Sequence, residues 1–202
     1  VCALSSTVAW FTGSGGIIKK TTDGGTNWVA QNSGYTGTLY DIKFFDANNG
    51  LCVGDQGKIL RTTNGGSTWT AVTSNSTNAL RNISFATSSV VFVVGHAGEI
   101  LKSTNGGSTW TKLTSGTANN LIGSHFLSST EGYACGAGGT ILKTTDGSKW
   151  TAQSTSTTKY FTKMLFTNSN YGWAVGELGQ IFRTKDGGKT WKDIGTGLPQ
   201  GT

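Results

Sequence analysis

Helix-forming periodicity is missing from this sequence. No window carries apolar residues sustained at i, i+3, i+4 and i+7, which excludes helical bundles and α/β folds. No apolar run approaches the length of a membrane span, and no charged-then-apolar leader is seen. Charged residues make up only 13% of the chain, against about 25% in an ordinary globular domain. Gly, Ser, Thr and Asn take their place, a profile that suits a secreted or extracytoplasmic β-protein better than a cytosolic enzyme. The two histidines, His96 and His125, share no motif, and Cys2, Cys52 and Cys135 show no metal-ligand spacing. No metal and no cofactor is therefore expected. One disulfide with an odd thiol, or three buried free thiols, both remain open. The net charge of +6 is spread along the chain. Its tightest cluster, Lys185, Lys189 and Lys192, lacks an interleaved aromatic platform, which argues against nucleic acid.

What the sequence has in abundance is repetition. TTDGGTNW (21–28) returns as TTNGGSTW (62–69), STNGGSTW (103–110), TTDGSKW (144–150) and TKDGGKTW (184–191). The closing tryptophans, Trp28, Trp69, Trp110, Trp150 and Trp191, lie 41, 41, 40 and 41 residues apart. A fixed period in this range marks a repeat architecture. A Gly-x-x-Gly step precedes each box, as in GDQGKIL (54–60) and GHAGEIL (95–101). An alternating apolar stretch precedes that step, as in LYDIKFF (39–45) and FTKMLF (161–166). Phe44, Phe85, Phe126 and Phe166 are equivalent in four repeats, with Ala3 in the first.

Short β-branched and aromatic runs broken by Asn, Asp and Gly read as hairpins. Four strands per period, at about 39–46, 51–54, 58–63 and 68–74 in the second repeat, describe one blade of a β-propeller. The fold class is thus all-β: one propeller domain of four-stranded antiparallel blades, at about 1–38, 39–79, 80–120, 121–160 and 161–202. Val1 aligns with Ile42, and Thr202 aligns with Leu39. That phase predicts five blades in a closed ring, although five blades of a longer ring would also satisfy it.

The box resembles the Asp-box, or bacterial neuraminidase repeat. Its longer form, Gly-x-x-Gly-x-Ile-x-x-Thr-x-Asp-Gly-Gly-x-Thr-Trp, resembles the propeller repeat of photosystem II assembly and stability factors. Those relatives share the box and not an activity. Physics favours a scaffold role: an oxygen at Asp23, Asn64, Asn105, Asp146 or Asp186 accepts from the turn's own amides. Asn64 and Asn105 keep the acceptor but lose the charge, which acid catalysis would not tolerate. The tryptophans are expected to lie over each blade's apolar layer.

No catalytic set emerges. Sialidase chemistry, as the resemblance implies it, needs three converging arginines, a Tyr-Glu pair and an acid/base Asp. Here Arg61 and Arg183 only repeat the position held elsewhere by Lys20, Lys102 and Lys143. Asp55 and Glu177, in the second-to-third-strand turns of blades two and five, could form a carboxylate pair, but read better as solvated turn residues. Two candidate binding features remain. The five equivalent cations could line an acidic partner, or each could pair locally with a box carboxylate. The blade connections differ freely and carry Tyr35, Tyr40 and Tyr160, placed to stack on a sugar or fill a partner pocket. The expectation is a non-catalytic interaction or assembly module with a protein partner. A carbohydrate-binding propeller and a degenerate glycosidase stand as alternatives.

Overall fold

A computed structural model describes residues 1–195. The chain forms five four-stranded antiparallel sheets, and within each the strands lie in sequence order. This is the blade of a β-propeller, found five times. In the second blade the strands are Leu39–Phe44, Gly50–Gly54, Ile59–Thr62 and Thr70–Val72; the first, third and fourth are a little shorter than the sequence predicts because the turns take the flanking residues, and the second begins one residue earlier. Four three-residue 3-10 turns, such as His96–Gly98 and Ala137–Gly139, are the helical elements among the described residues. The end of the fifth repeat, 196–202, lies outside the described residues, and with it Thr202, on which the predicted ring closure rests. The chain divides into two compact units, one of Val1–Phe92 with Leu101–Thr111, the other of Val93–Ile100 with Lys112–Thr202.

In the first unit, the core is built on rings from successive blades. Phe44 stacks on Trp10 at 3.7 Å and meets Trp69 edge-on at 5.9 Å. Cys2, Ile18, Leu39, Ile42, Cys52 and Leu60 fill the space around them. The second unit repeats the device, with Phe166 stacked on Tyr133 at 3.7 Å and edge-on to Trp191 at 5.9 Å. Edge-to-face rings of this kind contribute beyond the area they bury.

A glycine opposite each of these phenylalanines makes the packing possible. A Cβ at Gly50, Gly132 or Gly172 would fall 2.6, 2.3 or 2.5 Å from the ring of Phe44, Phe126 or Phe166. The third blade has Val91 at that place, and its Phe85 is left half-buried, tilted against Phe45 at 5.8 Å. Phe85 is therefore equivalent in sequence and not in packing. The second glycine of the Gly-x-x-Gly step is equally constrained in the first four blades. At Gly57 (φ +67°) a Cβ would meet the Ser76 carbonyl oxygen at 1.8 Å, so the connecting loop closes directly onto backbone.

Candidate functional site

The box is a hydrogen-bonded turn between the third and fourth strands. In the second blade the Asn64 side-chain oxygen accepts from the Thr68 amide at 2.9 Å. Asp23 and Asp186 do the same from Asn27 and Thr190, each at 2.9 Å. In the shortened fourth box, Asp146 accepts from Ser148 and Lys149 at 2.8 and 2.7 Å. Asparagine does the work of aspartate because the site asks only for an acceptor. Where the acid is present, hydrogen bonds from the Asn27 amide and side chain, the Lys149 and Ser148 amides, and the Thr190 side chain and amide favour its ionised form. Asp23, Asp146 and Asp186 are each lowered to about 2.

The first residue of the box carries a second set of bonds that the Asp-box pattern alone does not point to. Thr62 is buried; its hydroxyl accepts from the Gly66 amide at 2.9 Å and donates to the Asn64 side chain at 3.0 Å. Thr21, Ser103, Thr144 and Thr184 accept from a glycine amide in the same way. The available signal was the restriction of this position to Thr or Ser in all five boxes.

The five cations belong to this scaffold too. The Lys20 ammonium donates to the Gly65 carbonyl at 3.2 Å, and Arg61 Nε to that of Gly106 at 2.9 Å. Lys143 donates to Gly187 at 2.9 Å and lies 3.5 Å from Glu131. In these three the partner is the glycine of the following blade's box, where a box carboxylate was the local partner expected. The same side chains sit over rings: Lys20 over Trp10 at 4.9 Å, Lys102 over Phe92 at 5.4 Å and Lys143 over Tyr133 at 5.2 Å. Lys20, Arg61 and Lys143, drawn from the repeat spacing as part of an acidic-partner surface, thus each commit one N–H to a box carbonyl. Arg183 is half-buried on the third strand of the fifth blade.

The carboxylates on the opposite rim are spent locally. Asp55 accepts from the Thr38 amide at 3.0 Å and from the Tyr35 hydroxyl, while Lys58 lies 4.7 Å from the Tyr35 ring. Burial and the Asp55 carboxylate push the Tyr35 phenol up to about 12. Glu177 accepts from the Tyr160 amide at 3.4 Å. Each carboxylate ties down its own blade-connecting loop. Asp55 lies in the first unit and Glu177 in the second, and a catalytic pair is not what either geometry describes.

Tyr40 is different. It occupies the bulge position between Leu39 and Asp41 on its strand, is exposed, and carries the Arg81 guanidinium over its ring at 4.0 Å. Both residues begin first strands, of blades two and three, at the rim where the connecting loops arrive. Below them, buried Asp41 accepts from the Asn82 side chain and the Ile83 amide, both at 2.9 Å, and fixes one first strand against the next.

The remaining candidates carry no chemistry. All three cysteines are free and buried, and burial pushes Cys52 and Cys135 up to about 12, far from a reactive thiolate. Burial also lowers His125, which stacks on Phe166 at 6.4 Å. Among the described residues no cluster of three or more His, Cys, Asp or Glu side chains could hold a metal ion. No helix among them is long and apolar enough to cross a membrane.

Five four-stranded sheets, each closed by the same Thr/Asp/Gly/Trp turn, define the Asp-box class of β-propeller. A family profile described as photosynthesis system II assembly factor YCF48 matches residues 33–117 and 70–145. The chain belongs to that family. Among solved structures it is similar to "YCF48 bound to D1 peptide", with a TM-score of 0.76 and 22% identity over 98% of this chain and 67% of that one. It is also similar to YCF48 from Cyanidioschyzon merolae, with a TM-score of 0.71 and 20% identity over 92% of this chain and 68% of that one. The GH74 enzyme of Niastella koreensis gives 0.68 and 21%, over 88% of this chain and 34% of that one. At these identities the likeness to each structure is one of fold. Comparison with curated protein sequences finds no match.

Proposed function

We propose that this chain is a non-catalytic, extracytoplasmic protein-interaction module, an assembly factor that holds a segment of a partner protein on the rim bearing Tyr40 and Arg81. One observation carries the reading. The box side chains bond within their own turns, whereas the pairing of exposed Tyr40 with half-buried Arg81 occurs once. A guanidinium held over an aromatic face keeps N–H groups for a carboxylate or peptide carbonyl, with little further ordering required. Tyr35, on a loop pinned by Asp55, flanks the first strand of its own blade and widens the surface available to a partner.

Family membership supports this reading, as does the likeness to a YCF48 structure with a bound peptide. The low charge content supports an extracytoplasmic location, which fractionation of the source cells tests directly. For binding, a partner captured from those cells is purified and titrated against the wild-type chain and the Tyr40→Ala/Arg81→Glu variant. Affinity is expected to fall about 10-fold or more, as for loss of an Arg or Tyr anchor. Unchanged affinity, with the variant folded by circular dichroism, would overturn the assignment. Glycan binding lost on Tyr40→Ala would identify a carbohydrate module in its place.

A further inference from the structure

Two lysines break the pattern of the boxes. The residue before the box tryptophan is Asn27, Thr68, Thr109 or Thr190 in four blades, and Lys149 in the fourth. The residue one place earlier is Thr26, Ser67, Ser108 or Ser148, and Lys189 in the fifth. Elsewhere these places serve the turn. Thr68 and Thr109 accept from the Asn64 and Asn105 side chains at 2.9 and 2.8 Å, and Ser67 and Ser108 each donate to a box carbonyl at 3.0 Å. Lys149 and Lys189 are exposed, and among the described residues neither ammonium has a hydrogen-bond or ion-pair partner.

Both lysines fall on one groove. It holds 410 Å³ between the fourth and fifth boxes, wholly within the second unit, and is lined by Lys143, Lys149 and Lys189 with Thr145, Thr151 and Gln153. The corresponding groove between the second and third boxes holds 220 Å³. There Arg61 is the one cation, and Thr68, Val72 and Ser108 stand where Lys149, Gln153 and Lys189 stand here. Opposing charge is limited. Lys143 gives one N–H to the Gly187 carbonyl and lies 3.5 Å from Glu131. Asp146 also lines the groove, but its Oδ1 atom is turned to its own box, accepting from the Ser148 and Lys149 amides at 2.8 and 2.7 Å. Three cations against one carboxylate leave the lining with a net charge of +2.

We propose that this groove is a binding site for a tetrahedral oxoanion, a phosphate or sulfate group. The lining selects that chemistry. Ammonium groups are compact charges with several donors each, and hydroxyls and an amide complete a set made mostly of donors. No aromatic ring lines the groove for a sugar to stack on, and no arginine lines it to fork a planar carboxylate. The volume is in the range of small-molecule sites, so the group fits whether free or carried as an ester. This site does not rest on the Tyr40–Arg81 reading, since the boxes lie at the other end of each blade from the connecting loops.

Calorimetric titration with inorganic phosphate and inorganic sulfate tests the proposal, at low ionic strength where screening is weakest. Lys149→Thr and Lys189→Ser install the residues that boxes two and three carry as Thr68 and Ser108, so the turn is kept; circular dichroism confirms the fold. The wild-type chain is expected to bind at least one of the ions saturably. Each variant should bind about 10-fold or more weakly, as for loss of a charge-assisted hydrogen bond. Lys159→Thr removes an exposed lysine from a connecting loop and should leave the affinity unchanged. Two results would overturn the site. One is the lack of saturable binding of either ion. The other is a loss as large in Lys159→Thr as in the groove variants, which would mark diffuse attraction to a basic chain. Glycerol 1-phosphate then separates the sources. Binding as tight as that of the free ion assigns the groove to a phosphorylated molecule, and binding of the free ion alone assigns it to the inorganic oxoanion.

Discussion

Thr62→Val is the substitution that isolates the box hydroxyl. Valine keeps the shape and one methyl group and removes the Oγ1 atom. That atom accepts from Gly66 at 2.9 Å and from Asn64 at 3.3 Å, and donates to the Asn64 side chain at 3.0 Å. Gly66 and Thr62 are both buried, so the glycine amide is left without an acceptor out of reach of water. An orphaned buried donor costs about 1–3 kcal/mol, and the lost Asn64 bonds add about 1 kcal/mol. The expected destabilisation is therefore about 2–4 kcal/mol. With a urea slope of about 2–3 kcal/mol per molar, the midpoint should fall by about 1 M with the slope unchanged. Circular dichroism and tryptophan fluorescence, followed together, check that one transition is being measured. Thr63→Val, at the exposed neighbour, is the control and should shift the midpoint little. A Thr62→Val shift no larger than this control would refute the hydroxyl's role. Asn64→Asp keeps the acceptor and should stay close to wild type.

Acid should separate the boxes. Asp23, Asp146 and Asp186 are lowered from 3.8 to about 2 in the folded chain. Their stabilisation is thus complete above about pH 4 and is lost as pH falls through about 2. Hydrogen exchange should show the amides of Asn27, Lys149 and Thr190 losing protection over that window, while Thr68 and Thr109, held by Asn64 and Asn105, keep theirs. Equal loss in all five boxes would contradict this. At the alkaline end, the raised phenol of Tyr35 contributes stability that is full below about pH 10 and lost as pH rises through about 12. Tyr35→Phe should flatten the stability curve over that interval, and an unchanged slope would remove the Asp55 contact from the account. Phe166→Ala, buried on Tyr133, should cost about 3–5 kcal/mol by denaturant titration. Phe85→Ala, half-buried beside Val91, should cost clearly less, and equal costs would argue against the role of the glycine opposite.

The blades were legible in the sequence because their period, turn residues and strand alternation are all local. The boxes were legible for the same reason: Asp or Asn, then Gly, then Trp lies within eight residues, and the side-chain bonds of the Thr and of the Asn or Asp close inside that span. What could not be read is whatever crosses from one blade to the next. Phe85 looks the same as Phe44 in its own strand. Only the residue opposite, Val91 against Gly50, decides whether the ring folds flat and reaches the core. The cations are the sharper case. Within a repeat the nearest opposite charge is the box acid, so a local pairing or a free basic surface looks natural. Their acceptors are instead neutral carbonyls 44 or 45 residues away. The period gives that separation only to someone who already knows that successive blades stack face to face. Tyr40 was legible only as one of three loop tyrosines, and its pairing with Arg81 was invisible for the opposite reason, since a pair that occurs once leaves no trace in a repeat alignment. In a protein built of copies, regular features report on the junctions, and partner recognition is to be sought in the residues that break the pattern.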